Sequence, residues 1–565
     1  MMREPLRFLA SPVRGLQAAV YVLAASALLS SALALVRDRL FAHAFGAGTE
    51  LDLYYAAFRI PDILFVGTGA LVSVYILIPQ LVRRTPDEQK EYIDTVVAGF
   101  SALAVLASCA AALAAPHILA ALFPHFEAAG HLPTLVALTR IMLLQPILLG
   151  LSNILAAITQ AKQRYALYSL SPILYNLGII AGLVALYPVF GIAGLAWGVV
   201  AGAALHLGVQ IPSVVGDGFF RSPPRFRQAR ALVETAAISV PRALALSMNQ
   251  VTFLGLTALA ATLASGSIAV FTFAFNLMSV PLSVIGASYS VAAFPTLASA
   301  LSGGRRGEFL EHVAAAARYI LFWSLPAVGL AVVLRAHIVR VVLGSGSFDW
   351  TDTRLTAAVF ALLSLALAAH ALTLLLTRAY YAAGRTLVPF FIAAASAASA
   401  ILAAVLFMRW FEYPQVLRFA EDLMRLEDVP GTSILAVALA YALVSVAAAV
   451  VLAISFERRF GGFFGRIRTT LAQGTLAALA AASAAYATLA FVGPLTLSST
   501  LLSVFLRGFA GGTAGIAACA LVYFLLGNRE YLETVSSIRG KLWRAPLPPA
   551  QPIHSAEDIG PSSLQ

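Results

Sequence analysis

The chain is 565 residues long, 60% hydrophobic and 11% charged, with 37 Lys and Arg against 26 Asp and Glu for a net charge of +11. Ordinary soluble domains carry about 25% charged residues, so a soluble fold is excluded and the membrane is the solvent. The two cysteines, Cys109 and Cys519, each lie in an apolar stretch and argue against a disulfide framework or redox chemistry.

Fourteen apolar stretches, each near the ~20 residues of a bilayer-spanning helix, run at 16–36, 56–82, 92–115, 133–160, 165–187, 190–212, 232–262, 267–298, 309–334, 355–383, 386–408, 432–454, 469–492 and 500–526. They predict an all-α polytopic membrane protein of about 14 transmembrane helices. Arg3, Arg7 and Arg14 give the first run the charge of a signal peptide. That run exceeds an h-region of about 7–15 residues and lacks a clear small-residue cleavage site, so it reads as a retained span. An even count puts both termini on one side. Of the 37 Lys and Arg, 23 fall in the alternate segments that include the termini, 8 in the opposite set and 6 within spans. The positive-inside rule then places both termini in the cytoplasm. Basic loops facing an anionic leaflet account for the net charge with no nucleic-acid partner.

The expected organisation is a cytoplasmic segment (1–15), a first six-helix lobe (16–212), a cytoplasmic linker (213–231), a second six-helix lobe (232–454), two extra helices (455–526) and a cytoplasmic tail (527–565) whose Pro-rich, polar sequence predicts disorder. The two lobes read as copies. In the second span Ala57-Phe58-Arg59 precedes Gly69-Ala70-Leu71-Val72-Ser73-Val74 and Pro79-Gln80-Leu81. In the eighth, Ala274-Phe275-Asn276 precedes Gly286-Ala287-Ser288-Tyr289-Ser290-Val291 and Pro295-Thr296-Leu297, an offset of 217 residues that slips to 216 at the proline. Pro116-His117-Ile118 and Ala336-His337-Ile338, 220 apart, make a second echo, and each is expected to open a short amphipathic segment in the outer interface. Because six spans separate the copies, they enter the membrane in the same direction, a parallel pseudo-two-fold repeat whose halves can rock about a central site. Chance recurrence of small residues in an Ala-rich chain is the plainer alternative.

Several local sequences, in order, resemble the MurJ/MviN lipid II flippases. Arg37-Asp38-Arg39-Leu40-Phe41-Ala42-His43-Ala44-Phe45-Gly46-Ala47-Gly48, with Asp52, Tyr54, Tyr55 and Arg59-Ile60-Pro61-Asp62 after it, is similar to that family's first-to-second-span signature. Gly191-Ile192-Ala193-Gly194-Leu195-Ala196-Trp197-Gly198, Pro241-Arg242 with Asn249-Gln250, Phe294-Pro295-Thr296-Leu297, Gly344-Ser345-Gly346-Ser347-Phe348 and Arg378-Ala379-Tyr380-Tyr381 through Thr386 continue the likeness over about residues 16–526, fading in the last two spans. The resemblance implies the fold of the multidrug/oligosaccharidyl-lipid/polysaccharide exporters, with two six-helix lobes around a cavity and two extra helices beside a groove for the lipid tail. It also implies a transporter rather than an enzyme, in the bacterial cytoplasmic membrane. The implied substrate is a polyprenyl-linked glycan for peptidoglycan synthesis, and the implied surroundings are membrane lipids and cell-wall synthesis enzymes.

The chemistry agrees. A lipid-linked oligosaccharide carries a sugar head, a pyrophosphate and a polyprenyl tail, so its path needs a wet, partly cationic cavity open sideways to lipid. Arginine suits the pyrophosphate because its planar fork donates two parallel charge-assisted hydrogen bonds. Arg37, Arg59, Arg140, Arg242, Arg318, Arg378 and Arg507 lie in or at the ends of spans, each with the plainer reading of an interfacial or structural pair. Arg37, Arg59, Arg242, Asn249, Gln250 and Asn276 form the candidate substrate set. Against the family pattern the cavity is less charged: Ser31, Phe65, Val66, Asn276 and Ser279 stand where relatives often carry Arg or Glu. Either the same head group is held through Asn, Gln and Tyr, or the substrate is a different polyprenyl-linked glycan.

Asp38, Asp62 and Glu234 are the carboxylates placed for proton or ion coupling, with pairing to a nearby arginine as the alternative, most obviously Asp38 with Arg37 or Arg39. The resemblance implies no cofactor, only dependence on membrane potential or a monovalent ion. Residues 386–408 hold no carboxylate for the sodium site that some relatives have there. The histidines show no metal-ligand spacing, and no phosphate-cradling Gly-Lys-Ser/Thr loop occurs. His206 and His370 read as packed, hydrogen-bonded core residues before proton relays. An ion-coupled exporter of small amphipathic cations is the competing reading, which cavity arginines disfavour. A scaffold for wall enzymes would leave those arginines without purpose.

Overall fold

The computed structural model describes residues 16–69, 72, 77–78, 80–81, 83–220, 229–493 and 499–542, with the side chains of 16–24, 229–242, 245–246 and 538–542 left undescribed. Apolar segments without water must satisfy their own N–H and C=O groups, and the described residues are helical with no strand. The first half contains α1 (Leu16–Phe45), α2 (Thr49–Ala57), α3 (Arg59–Gly69), α4 (Pro86–Leu122), α5 (Leu132–Met142), α6 (Leu144–Ala161), α7 (Tyr165–Ala181) and α8 (Ile192–Gly208). The second contains α9 (Ala229–Ala260), α10 (Ser267–Pro281), α11 (Ser288–Ser302), α12 (Arg306–Val342), α13 (Trp350–Ser364), α14 (Leu367–Ala382), α15 (Leu387–Phe411), α16 (Pro414–Met424) and α17 (Ile434–Phe460). α18 (Phe463–Val492), α19 (Leu501–Leu525) and α20 (Arg529–Leu542) follow.

Among the described residues ten helical stretches are long and apolar enough to cross a bilayer, and α13 with α14, bent by 43°, makes an eleventh. The expected first, second and seventh spans fall on α1, α3 and α9, parts of which lie outside the described residues. Helices of each half pack mainly within that half, and α18 and α19 form a pair against α12. Glycine sets how closely some of them approach. A Cβ on Gly178 would lie 2.2 Å from the Gly202 Cα, so α7 and α8 touch backbone to backbone. π-helical turns interrupt the span of α7 after Ala181 and the span of α10 after Pro281, at Gly182–Leu186 and Leu282–Ala287.

Arg39, late in α1, donates to the Val341 and Val342 carbonyls (2.7 and 3.1 Å) at the end of α12, so both helices finish at one end of the bundle, the distal end. At the opposite, basal end α20 returns to the early part of α12: Arg318 pairs with Glu530 at 2.9 Å and Tyr319 donates to Glu533 at 2.6 Å. Expected as unstructured from 527, the tail therefore begins with a helix, held because buried Glu530 also accepts from Thr470 at 3.2 Å. The amphipathic segments expected at Pro116 and Ala336 do not break away either; they continue the unbroken helices α4 and α12. In a membrane helix the backbone group freed by Pro116 can be satisfied by neighbours.

Candidate functional site

Asp38 is the centre of the interior polar cluster, 2% exposed. Its Oδ1 accepts from Arg37 Nε and Nη2 at 3.0 and 2.8 Å, while Arg37 Nη1 donates to Asn176 Oδ1 on α7 at 3.1 Å. Asp38 Oδ2 accepts from Asn276 Nδ2 on α10 at 3.0 Å, so one carboxylate ties the two halves together. This is the pairing of Arg37 with Asp38 that the sequence left open. It also accounts for Asn276: with Arg37 already neutralising Asp38, a second arginine would bring surplus charge, whereas an amide supplies the donor alone.

Arg59, the repeat mate of Asn276, opens α3, with its guanidinium carbon 5.6 Å from the centre of the Phe253 ring on α9. Asp62, three residues on, interacts with it electrostatically. Among the described residues the buried Nε of Arg59 has no hydrogen-bond partner, an unspent donor that an anionic ligand could use. One turn before Phe253, Asn249 is exposed and Gln250 half-buried. Arg242 and Glu234 belong to α9, but their side chains lie outside the described residues. The remaining candidate arginines are tied down. Arg140 donates to the Ala112 carbonyl, Arg378 to Ala287 and Arg507 to Gly493, and Arg318 pairs with Glu311 and Glu530. His206 Nδ1 shares a 2.7 Å hydrogen bond with the Ser152 hydroxyl, and His370 stacks on Tyr441 at 5.4 Å.

Above this cluster the halves close on each other at the distal end. Ser347 N donates to the His43 carbonyl at 2.9 Å, and Ala47 N donates to Asp352 Oδ2 at 3.0 Å. The hydroxyls of Thr49 and Ser265 lie 2.7 Å apart. Asp52 accepts from Gly266 N at 2.7 Å and Ala269 N at 2.8 Å, capping α10 of the second half from α2 of the first. Phe273 packs against Tyr55 and Phe348, excluding water beneath these bonds. Two glycines make the closure possible. Gly266, at φ +87°, would place a Cβ 2.0 Å from the Ala47 carbonyl oxygen, and Gly346, at φ +58°, one 2.4 Å from that of His43.

Asp52 stands ahead of the apolar stretch 56–82, and Asp352, in the first turn of α13, ahead of the apolar stretch 355–383, both at the distal end. Burial pushes the Asp52 carboxyl up to about 7, with the backbone N–H donors pulling it back, and Asp352 up to about 6 for the same first reason. The sequence showed Asp52 only as part of the signature motif and did not single out Asp352. The available signal was the repeat itself, since Thr49 and Gly266 are 217 residues apart, together with the glycines of the 46–48 and 344–348 motifs. Among the described residues the hydrogen bonds named between the halves lie at this seal, at Arg39 and at Asp38–Asn276, while α3 of the first half also packs against α9 of the second.

The family described as "Lipid II flippase MurJ" matches residues 41–506. A "Probable lipid II flippase MurJ" of Buchnera aphidicola subsp. Acyrthosiphon pisum is 26% identical over 369 residues, 64% of this chain and 72% of that one. The solved structure "Lipid II flippase MurJ, inward closed conformation" shares the fold with a TM-score of 0.70 at 19% identity, covering 91% of this chain and all of that one. A "multidrug resistance MATE family transporter of the MOP superfamily" in an inward-facing conformation is similar in fold at a TM-score of 0.61 and 14% identity, over 77% of this chain and 96% of that one. With a family match across most of its length, a paired two-half helical architecture and the Arg37–Asp38 cluster where the signature sequence lies, the chain belongs to the MurJ family of lipid II flippases.

Proposed function

We propose that this chain flips lipid II, a polyprenyl-pyrophosphate-linked glycan, from the inner to the outer leaflet of the bacterial cytoplasmic membrane for peptidoglycan synthesis, by alternating access between its halves. The observation that carries the reading is the interior arginine Arg59, with a buried unspent donor, beneath a seal made by both halves of a repeat. A pyrophosphate there would accept from Arg59, with Asn249 and Gln250 supplying neutral contacts to the sugar head. Arg37 is committed to Asp38 and Asn176, so its role is to hold the cluster that joins the halves.

The charge distribution, 23 basic residues on the basal segments against 8 on the distal ones, supports a cytoplasmic basal end and both termini inside. Of the coupling candidates, Asp38 is held by two partners and the Glu234 side chain lies outside the described residues; Asp62 beside Arg59 is the described carboxylate whose charge can change with least rearrangement. Transport then draws on membrane potential or on a monovalent cation. The deciding experiment depletes the protein in growing cells and measures which polyprenyl-linked intermediate accumulates on the inner leaflet. Lipid II is expected. Accumulation of another lipid-linked glycan with normal lipid II turnover would reject the head-group assignment.

A further inference from the structure

Between the eleventh and twelfth expected spans lies α16, a short helix begun by Pro414 and ended by Arg425 in the left-handed conformation. Its residues divide into three strips. Val416, Leu417, Ala420 and Met424 pack on the protein core, and Glu421 accepts from the Thr432 hydroxyl at 2.6 Å. On the opposite side Arg418 and Asp422, one turn apart, are exposed. Between these strips Phe419 and Leu423, also one turn apart, stand 69% and 63% exposed.

A single exposed apolar residue means little, but this pair extends a row. Leu402, Leu406 and Trp410, spaced by four, are exposed along α15, a span whose outward face meets lipid, and exposed Tyr413 follows. Trp and Tyr are the residues that mark the boundary between hydrocarbon and water. α16 follows that aromatic edge in the chain and packs against α15, with its exposed apolar strip beside a charged one. An exposed apolar strip beside a charged one, on a helix that follows an aromatic edge, is the layout of a helix lying in the interface plane.

The same element is bonded to the distal seal. Arg354 pairs with Asp428 at 2.7 Å and donates to the Arg425 carbonyl. Gly431, just beyond, approaches so closely that a Cβ there would lie 3.2 Å from the Ala264 Cβ, next to Ser265 and Gly266, which meet Thr49 and Asp52.

We propose that α16 is an interfacial helix that lays Phe419 and Leu423 into the leaflet at the distal end and fastens the seal to that lipid surface. Calling that leaflet outer rests on the orientation proposed above; the contact with lipid does not. Residues 412–428 carry Glu412, Glu421, Asp422, Glu427 and Asp428 against Arg418 and Arg425, so attachment comes from apolar insertion and not from attraction to anionic lipid.

The test uses the full chain with Cys109 and Cys519 replaced, reconstituted in phosphatidylethanolamine vesicles with or without phosphatidylglycerol, and a nitroxide attached singly at positions 418, 419, 422 and 423. Probes at 419 and 423 should relax with oxygen, which concentrates in lipid, and be shielded from a water-soluble nickel chelate. Those at 418 and 422 should behave the opposite way, and the pattern should persist without phosphatidylglycerol. Nickel access at 419 and 423 would show a solvated face, and shielding there from both reagents would show a protein cover, a second copy included; either result overturns the proposal. Phe419→Asp with Leu423→Asp should broaden the distance between probes at Glu50 and Thr262 across the seal, while Phe419→Leu with Leu423→Phe should not. An unchanged distance in the aspartate pair would reject the link to the seal. Impermeant labelling of position 418 in intact cells reads the orientation separately.

Discussion

Arg37 and Arg59 lie in the same interior yet should fail in different ways when truncated. Removing the Arg37 side chain strands Asp38 as a buried carboxylate with only Asn276 for company. Breaking a buried pair from one side costs about 3–5 kcal/mol. Arg37→Ala should therefore lower the amount of folded protein, and Arg37→Ala with Asp38→Asn should restore much of it, as measured by membrane abundance and thermal unfolding in detergent. No recovery in the double variant would mean that Arg37 does something besides neutralise Asp38. Arg59 has an unspent donor, so Arg59→Ala should leave abundance near normal and reduce flipping roughly 10- to 100-fold, the worth of about 1.5–3 kcal/mol for one charged hydrogen bond. Arg59→Lys, which keeps charge but loses the fork, should fall between. An in-vesicle flipping assay decides it, and wild-type activity in Arg59→Ala would remove this arginine from the substrate path. The neighbours Arg37 and Asp38 were readable as a pair from sequence because they are adjacent. Asn276 as the third member was not, since its contact depends on how two segments 238 residues apart are brought into register.

At the scale of elements, the α1–α2 turn, the start of α10 and the start of α13 form one closure whose strength depends on protonation. With the seal shut, burial raises Asp52 to about 7 and Asp352 to about 6. When the halves part, each carboxyl regains water and its usual value of about 4. The closed form thus binds protons more tightly than the open one. Its advantage is complete below the open-state value and is lost as pH rises through the closed-state values. Distances between probes at Glu50 and Thr262 should accordingly show more open seal near pH 8 than near pH 5, and Asp52→Asn should flatten the response. A pH-independent distribution in the unmodified protein would sink this linkage. The glycine motifs at 46–48 and 344–348 were visible in the sequence, but their purpose was not. A positive φ and a 2.4 Å approach to another strand of backbone exist only once both halves are folded together. Conversely, the short amphipathic segments expected to open at Pro116 and Ala336 were inferred from local sequence, and long membrane helices override that signal.

For the whole molecule, the repeat, the appended helical pair and the succession of spans were legible because hydropathy and a 217-residue offset are properties of the chain order itself. The seating of α18 and α19 on α12, through Tyr523 donating to the Phe322 carbonyl at 2.8 Å and a Cβ at Gly329 that would lie 2.6 Å from the Ala478 oxygen, needed the structure. Orientation can be checked at this scale. In a cysteine-free background an impermeant thiol reagent applied to intact cells should modify a cysteine introduced for Asp422 and not one introduced for Asp217. Reaction at 217 before lysis would invert the topology.

The distal contacts are mutual: a carboxylate of the first half, Asp52, grips the backbone of the second, and one of the second, Asp352, grips the backbone of the first. Neither half can release its own hold without still being held by the other. A pair of locks keyed from opposite sides opens together or stays shut, so partly unlatched forms should be short-lived and the cycle switch-like. Single-molecule records across the seal should then jump between two levels, with few dwells between them.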